Sequence, residues 1–269
     1  LRDNKISEIK RLNGIYQRML EGAGVTLFNA RARLADAHTV TLSGEQGDIS
    51  VTAQKILLAT GGWPWVPDFP GSEHALDSNQ IFDLDTFPKR FLVLGGGYIA
   101  VEFSSIFNGL GSETHLIYRG EMFLKGFDQQ VREFTCAEMQ RKGVNIHFNT
   151  NIERIEASQD AYNVHLTNGD VLEVDVVLAA TGRKANIGDL GLSLDKSGKV
   201  PVNERFETAL PSVLALGDLI AGPELTPVAL AEAMQLVDVH FADTTPQPLD
   251  YTTIPTAVFC HPNIGTVGL

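Results

Sequence analysis

Cysteine is scarce in this sequence, with two residues in 269, Cys136 and Cys260. That is too few for the disulfide framework of a secreted domain, and it fits a reducing, cytoplasmic setting. Neither belongs to a closely spaced pair. Cys136 falls in a helical pattern and Cys260 follows Ala257, Val258 and Phe259, so both read as small buried hydrophobes rather than reactive thiols. Positive charge is also in deficit. Lys and Arg number 21 against 33 Asp and Glu, a net charge of −12. No basic face is available for nucleic acid, whose phosphates demand one. No apolar run reaches the length of a membrane span, no segment has the pattern of a signal peptide, and no metal site is expected. What is present is 43% hydrophobic and 20% charged residues. That is the composition of a soluble globular chain, long enough for two domains and part of a third.

The stretch around which the rest is organised is residues 91–120, FLVLGGGYIAVEFSSIFNGLGSETHLIYRG. An apolar run over 91–94 meets Gly95, Gly96 and Gly97, after which Ile99, Ala100, Phe103 and Ile106 recur at helical spacing. In a strand–helix–strand reading, Gly95 permits the tight turn and Gly97 lets a pyrophosphate approach the backbone. Ala100 lets the helix pack closely on the strand. The free amides and dipole of the helix start then hold the phosphates. Alone, this GxGxxA pattern is weak. The end of the second strand, residues 114–118, adds to it. An acid there would bind a free ribose hydroxyl, but Tyr118 occupies the position, Arg119 follows and Lys125 lies one short loop later. Two cations suit a 2′-phosphate, which favours NADP over NAD. The alternative makes the cations solvated surface charges and the glycines merely a turn.

Residues 6–20 carry Ile6, Ile9, Leu12, Ile15 and Leu20, the pattern of an amphipathic helix stopped by Gly22 and Gly24. Short strands are expected at 25–30, 38–42, 49–52 and 56–59. The Pro- and Trp-rich GGWPWVPDFPG then suits an ordered crossing between domains. Beyond the glycine unit, Phe127 and Asp128 open a helix with Val131, Phe134 and Met139 on or near one face, ended by Gly143. Strands follow at 144–148, 152–157 and 162–167. Asn168-Gly169 is a hairpin turn into a strand at 171–180.

ISVTAQKILLATGG and VLEVDVVLAATGR look like repeats of one another. If they are duplicates, fewer residues precede Thr60 than separate Gly95 from Thr181. A first-half counterpart of the glycine motif would therefore fall before residue 1, although an internal deletion would mimic this. Farther on, a strand at 213–216 leads to Gly217 and Asp218. Asp218 either holds a sugar hydroxyl or satisfies nearby turn amides. Thr226 suits an N-cap and Pro227 the first helical position, leaving free amides for an electron-rich group. The chain ends at Leu269 in TVGL without a turn or cap signal.

LNGIYQRML, ILLATGGWP, LGGGYIAVEF, YRGEMFLKGFD, LAATGRKAN, ALGDL, LTPVALAEAM and IPTAVFCHPNIGTVGL resemble, in order, segments of the FAD-dependent pyridine nucleotide-disulfide oxidoreductases. The cationic YRG…LKGFD resembles the glutathione reductases of that family more than the lipoamide dehydrogenases. The resemblance implies that Gly95, Gly97 and Ile99 contact the NADPH pyrophosphate and that Arg119, helped by Lys125, pairs with the 2′-phosphate. Tyr98 is similar to the tyrosine that shields the flavin, and Glu102 to the acid near hydride transfer. Gly182 and Arg183 would lie along the nicotinamide half. Thr60 and Gly61 resemble FAD neighbours, Asp218 the acid on the FAD sugar chain, and Thr226 the start of the helix facing the flavin.

No FAD glycine motif, CxxxxC redox pair or C-terminal His-Glu pair stands in these residues, so no catalytic residue is expected within the chain. The resemblance implies an α/β fold in which a Rossmann-like NADPH-binding domain is inserted in a partial FAD-binding domain. The expected boundaries are 1–61 for the first FAD segment, 62–184 for the NADPH domain, 185–249 for the second FAD segment and 250–269 for the start of an interface domain. It implies an enzyme passing hydride from NADPH to FAD and then electrons to glutathione disulfide, homodimeric when intact. The alternatives are a trypanothione, mercuric or lipoamide-type relative, or an NADPH-binding fragment without turnover.

Overall fold

The computed structural model describes residues 2–45, 47–188, 191–242 and 248–268. Leu269, where the sequence reading has the chain stop inside an element, lies outside them. The chain opens with α1 (Arg2–Gly22), β1 (Arg31–Leu34), β2 (Thr39–Gly44), β3 (Gly47–Thr52) and β4 (Ile56–Leu58), and crosses at β5 (Gly62–Pro64). It continues through β6 (Arg90–Leu94), α2 (Tyr98–Gly109), β7 (Glu113–Ile117), α3 (Gln129–Arg141), β8 (Asn145–His147), β9 (Ile152–Ser158), β10 (Ala161–Leu166), β11 (Val171–Val174) and β12 (Val176–Ala179). The return crossing is β13 (Arg183–Ala185), followed by β14 (Val213–Ala215), α4 (Thr226–Phe241), β15 (Thr256–Val258) and β16 (Ile264–Thr266). Two compact units result, one of Leu1–Trp63 with Lys184–Tyr251 and one of Pro64–Arg183 with Thr252–Leu269.

In the second unit β12, β6, β7 and β8 lie side by side in a four-stranded sheet, every neighbour parallel. Strands 91–94 and 113–117 are thus adjacent and parallel, as the glycine unit requires. The sheet is covered on both faces, which is why its strands read as near-continuous apolar runs. Phe91, Val93, Leu116 and Leu178 pack with Val101, Phe103, Phe107 and Met139 of α2 and α3. Leu92, Leu94, Ile117 and Val177 pack against Ile152, Ile155, Val164 and Val174 of the antiparallel sheet β11-β10-β9.

In the first unit β1-β2-β3 form an antiparallel sheet, and β4 pairs in parallel with β14. Its core gathers Ile56, Leu58, Val213, Leu214, Leu219 and Leu236. The repeat read from the sequence is therefore structural. In each unit three antiparallel strands precede a short strand paired in parallel, and a glycine at positive φ follows its end in the next loop, Gly61 (+69°) after β4 and Gly182 (+129°) after β12.

Four sequence expectations are corrected. Residues 25–30 form no strand, because the ladder to β2 begins at Arg31. Ile106 and Phe134 face solvent, 41% and 61% exposed; Phe107 and Thr135 turn inward instead. The expected strand at 171–180 breaks at Asp175 into β11 and β12, which belong to different sheets. Asp175 is occupied there, accepting the amides of Lys89 and Arg90 at 2.8 and 2.9 Å and the guanidinium of Arg90 at 2.6 Å. The helix expected over 6–20 forms as α1, whose Ile6, Ile9 and Leu20 are exposed and of which no residue is buried. Thr226 is the first residue of α4 rather than its cap; Leu225 caps it, with no side-chain bond to the helix amides. Among the described residues no helix is long and apolar enough to cross a membrane.

Candidate functional site

The glycine turn owes its shape to three different constraints. Gly95 sits at φ +147°, and a Cβ there would meet the Ala180 carbonyl oxygen at 2.2 Å. Gly96 lies beneath the Tyr118 ring, 2.3 Å from where a Cβ would be. Gly97 is extended at the start of α2, and a Cβ there would find nothing within 4 Å. The first two glycines are required by packing, whereas the third leaves open space beside the first-turn amides of α2. No side chain caps those amides and no acid stands in the first turn, which is the arrangement of an anion site. Ala100 is fully buried, allowing α2 to lie close on β6.

Beyond β7, Arg119 and Lys125 are exposed. Neither side chain has a hydrogen bond or ion pair with the described residues, so both charges are available to a ligand. The loop between them is anchored. Asn149 N–H donates to the Gly120 carbonyl at 3.0 Å and Leu124 N–H to the Gly96 carbonyl at 2.7 Å. Phe123 and Leu124 are 0% and 2% exposed, plugs that leave Lys125 on the surface.

Tyr98 begins α2 and is exposed, while Ile99 is half-buried. Glu102, one turn on, accepts the Phe259 amide at 2.9 Å and so fixes the residue after β15. The Gly182 carbonyl accepts from the Trp65 amide at 3.0 Å, and half-buried Arg183 follows it.

In the first unit, Thr60 donates its hydroxyl to the Asn186 carbonyl at 2.6 Å, and the Gly61 carbonyl accepts the Asn186 amide at 2.8 Å. Thr60 and Gly61 are thus clasped by a residue that the sequence reading did not single out. Asp218 lies on a short turn held from two sides. The Gly217 amide donates to Glu232 Oε2 at 2.7 Å, and Lys199 Nζ donates to the Asp218 carbonyl at 2.7 Å. Thr226 is exposed at the start of α4.

Glu232 was also missed. It is 1% exposed and its second oxygen accepts the Tyr251 hydroxyl at 2.8 Å. Burial, then the bond to Glu232, holds the Tyr251 phenol well above the ordinary tyrosine range. The available signal was an acid inside the apolar VALAEAM face of a helix. Arg132 of α3 was missed likewise; it donates to the carbonyls of Met122 and Phe123. Cys136 and Cys260 are both buried, and burial raises both thiols from their ordinary value, as expected of packing residues. Among the described residues no cluster could hold a metal ion.

The family described as Pyridine nucleotide-disulphide oxidoreductase matches residues 2–233. Glutathione reductase of Burkholderia cepacia is 40% identical over 98% of this chain, and the chloroplastic/mitochondrial glutathione reductase of Pisum sativum 40% over 99%. The chain spans 59% and 48% of those two proteins. The solved HOCl-induced flavoprotein disulfide reductase RclA from Escherichia coli superposes with a TM-score of 0.92 at 25% identity, over 100% of this chain and 63% of that one. Fold, ordered motifs and these likenesses agree: the chain belongs to the pyridine nucleotide-disulphide oxidoreductase family.

Proposed function

We propose that the protein is an NADPH-dependent flavoprotein disulfide reductase acting on glutathione disulfide. The observation that carries this reading is the open space at Gly97 beside the uncapped start of α2, with two exposed cations beyond Tyr118, Arg119 and Lys125, that have no partner among the described residues. These residues fit NADPH. Gly95, Gly97 and Ile99 receive the pyrophosphate, and Arg119 and Lys125 the 2′-phosphate. Gly182 and Arg183 lie along the nicotinamide half, with Tyr98 and Glu102 near the reacting end. Residues 62–184 serve as the NADPH-binding domain.

FAD is assigned to residues 1–61 and 185–249, where Asp218 stands on a doubly held turn and the first amides of α4 at Thr226 carry no side-chain cap. Thr60 and Gly61 complete that set. When bound, NADPH supplies a hydride, and FAD relays two electrons toward a disulfide. This chain's residues bind and orient the nucleotides. Its two cysteines, buried and with raised pKa values, are not the electron acceptor, which together with the protonating His-Glu pair belongs to other parts of the full-length protein. Residues 250–269 begin the interface domain of a homodimer. Glutathione disulfide as substrate rests on the glutathione reductases 34–40% identical over at least 97% of the chain, and a cytoplasmic setting on the scarcity of cysteine.

The test is oxidation of NADPH by the full-length protein with glutathione disulfide, trypanothione disulfide or mercuric ion as acceptor. Turnover with glutathione disulfide is expected to exceed the others. Flavin-independent turnover, or no preference for that acceptor, overturns the reading.

A further inference from the structure

The geometry points to Arg132 as a positioning residue for 2′-phosphate recognition, acting through the loop that carries Lys125 rather than by touching the nucleotide. The inference rests on the NADPH reading above and names a residue that reading does not use.

Arg132 lies one turn into α3, and its guanidinium turns back onto the loop between β7 and α3. Nε donates to the Phe123 carbonyl at 2.8 Å and Nη2 to the Met122 carbonyl at 2.6 Å. The remaining nitrogen, Nη1, donates to Gln129 Oε1 at 3.0 Å, so all three nitrogens are engaged within the protein. A guanidinium used in this way is committed to the backbone, and its planar fork fixes the direction of two successive peptide planes.

Those planes precede Leu124, whose φ of +55° is uncommon for a residue with a side chain. Such a conformation persists only where the surroundings over-determine it, and here they do. The Leu124 amide is bonded to the Gly96 carbonyl, its carbonyl accepts the Phe127 amide at 3.1 Å, and its side chain is buried. Lys125 comes next in the chain. Its backbone position is therefore set by Arg132 on the α3 side and by the glycine turn on the other. A cation that meets a phosphate from a held backbone loses less freedom on binding than one from a mobile loop. NADH, which lacks the 2′-phosphate, has no use for this arrangement.

The experiment is calorimetric titration of the full-length protein with NADPH and with NADH, in wild type, Arg132→Ala, Lys125→Ala and the double variant. Arg132→Ala is expected to weaken NADPH about tenfold and to leave NADH within about twofold, a coupling of ordinary size. In the Lys125→Ala background the same change is expected to cost little more, because the residue through which it acts is gone. Arg132→Gln, which retains one amide donor, gives an intermediate NADPH:NADH ratio and serves if the Ala variant does not fold. Equal loss for both nucleotides, a wild-type ratio in Arg132→Gln and Arg132→Ala, or additive effects in the double variant each overturn the inference. An unchanged ratio in both Arg119→Leu and Lys125→Ala instead overturns the NADPH reading beneath it.

Discussion

The ring of Tyr118 lies across Gly96 so closely that a Cβ built on the glycine would come within 2.3 Å of the ring edge. The residue at the end of β7 thereby becomes part of the glycine turn. Tyr118 cannot easily yield, since its amide donates to His147 and its ring is also packed on Gly120. Gly96→Ala is expected to destabilise the protein by about 1–3 kcal/mol through overpacking and to weaken NADPH. Gly96→Ala combined with Tyr118→Ala should recover more stability than the two single changes predict by addition, as read from chemical denaturation.

Arg119→Leu removes one of the two exposed cations beyond β7. The NADPH dissociation constant is expected to rise roughly ten- to a hundredfold, the equivalent of about 1.5–3 kcal/mol for a charged hydrogen bond. NADH binding should be spared. Titration calorimetry with both nucleotides decides it, and equal losses would count against the assignment.

The 269-residue polypeptide, assayed alone with or without added FAD, should bind NADPH yet fail to reduce glutathione disulfide. Its thiols are the reason. Cys136 and Cys260 are buried and their pKa values lie above the ordinary thiol value, so the thiolate needed for exchange is disfavoured. Both should resist Ellman's reagent in the native protein and react only after denaturation. Turnover that depends on either cysteine would contradict this.

His147 Nε2 and His115 Nδ1 stand 3.1 Å apart. Burial first, then the neighbouring His115, lowers the His147 pKa, against a smaller opposing effect of Asp170. Below the unfolded histidine value the unfolded chain binds the proton more readily than the native state. The stabilising contribution is thus present above about pH 6.5 and is lost as pH falls through the lower folded value. Denaturant midpoints should decline from pH 7 to 5, and His147→Phe should flatten that decline.

Glu232→Leu leaves the Gly217 amide and the Tyr251 hydroxyl without their acceptor, a loss of about 1–3 kcal/mol for each buried group left unpaired. Glu232→Gln keeps one oxygen for Gly217 and should cost far less. If both variants melt alike, the buried carboxylate is not what holds the Gly217–Asp218 turn.

Much of this molecule was determined by local sequence. The run 91–94, the three glycines and the spacing of Ala100 and Phe103 fixed a strand, a turn and a helix, because each needs only backbone sterics and one apolar face. Asp128, placed by the sequence at the start of a helix, accepts the Val131 amide at 3.1 Å, and the Asn168-Gly169 hairpin joins β10 to β11. Tertiary structure decided what depends on partners far along the chain. An apolar string over 171–180 cannot disclose that Asp175 will be claimed by Arg90 and split it between two sheets. Helical spacing proposed Ile106 and Phe134 for the core, but the packing partners chose Phe107 and Thr135. Arg132, Asn186 and Glu232 were illegible for the same reason. Each is an ordinary polar residue in the sequence, and its role lies in backbone groups that only folding brings within 3.1 Å.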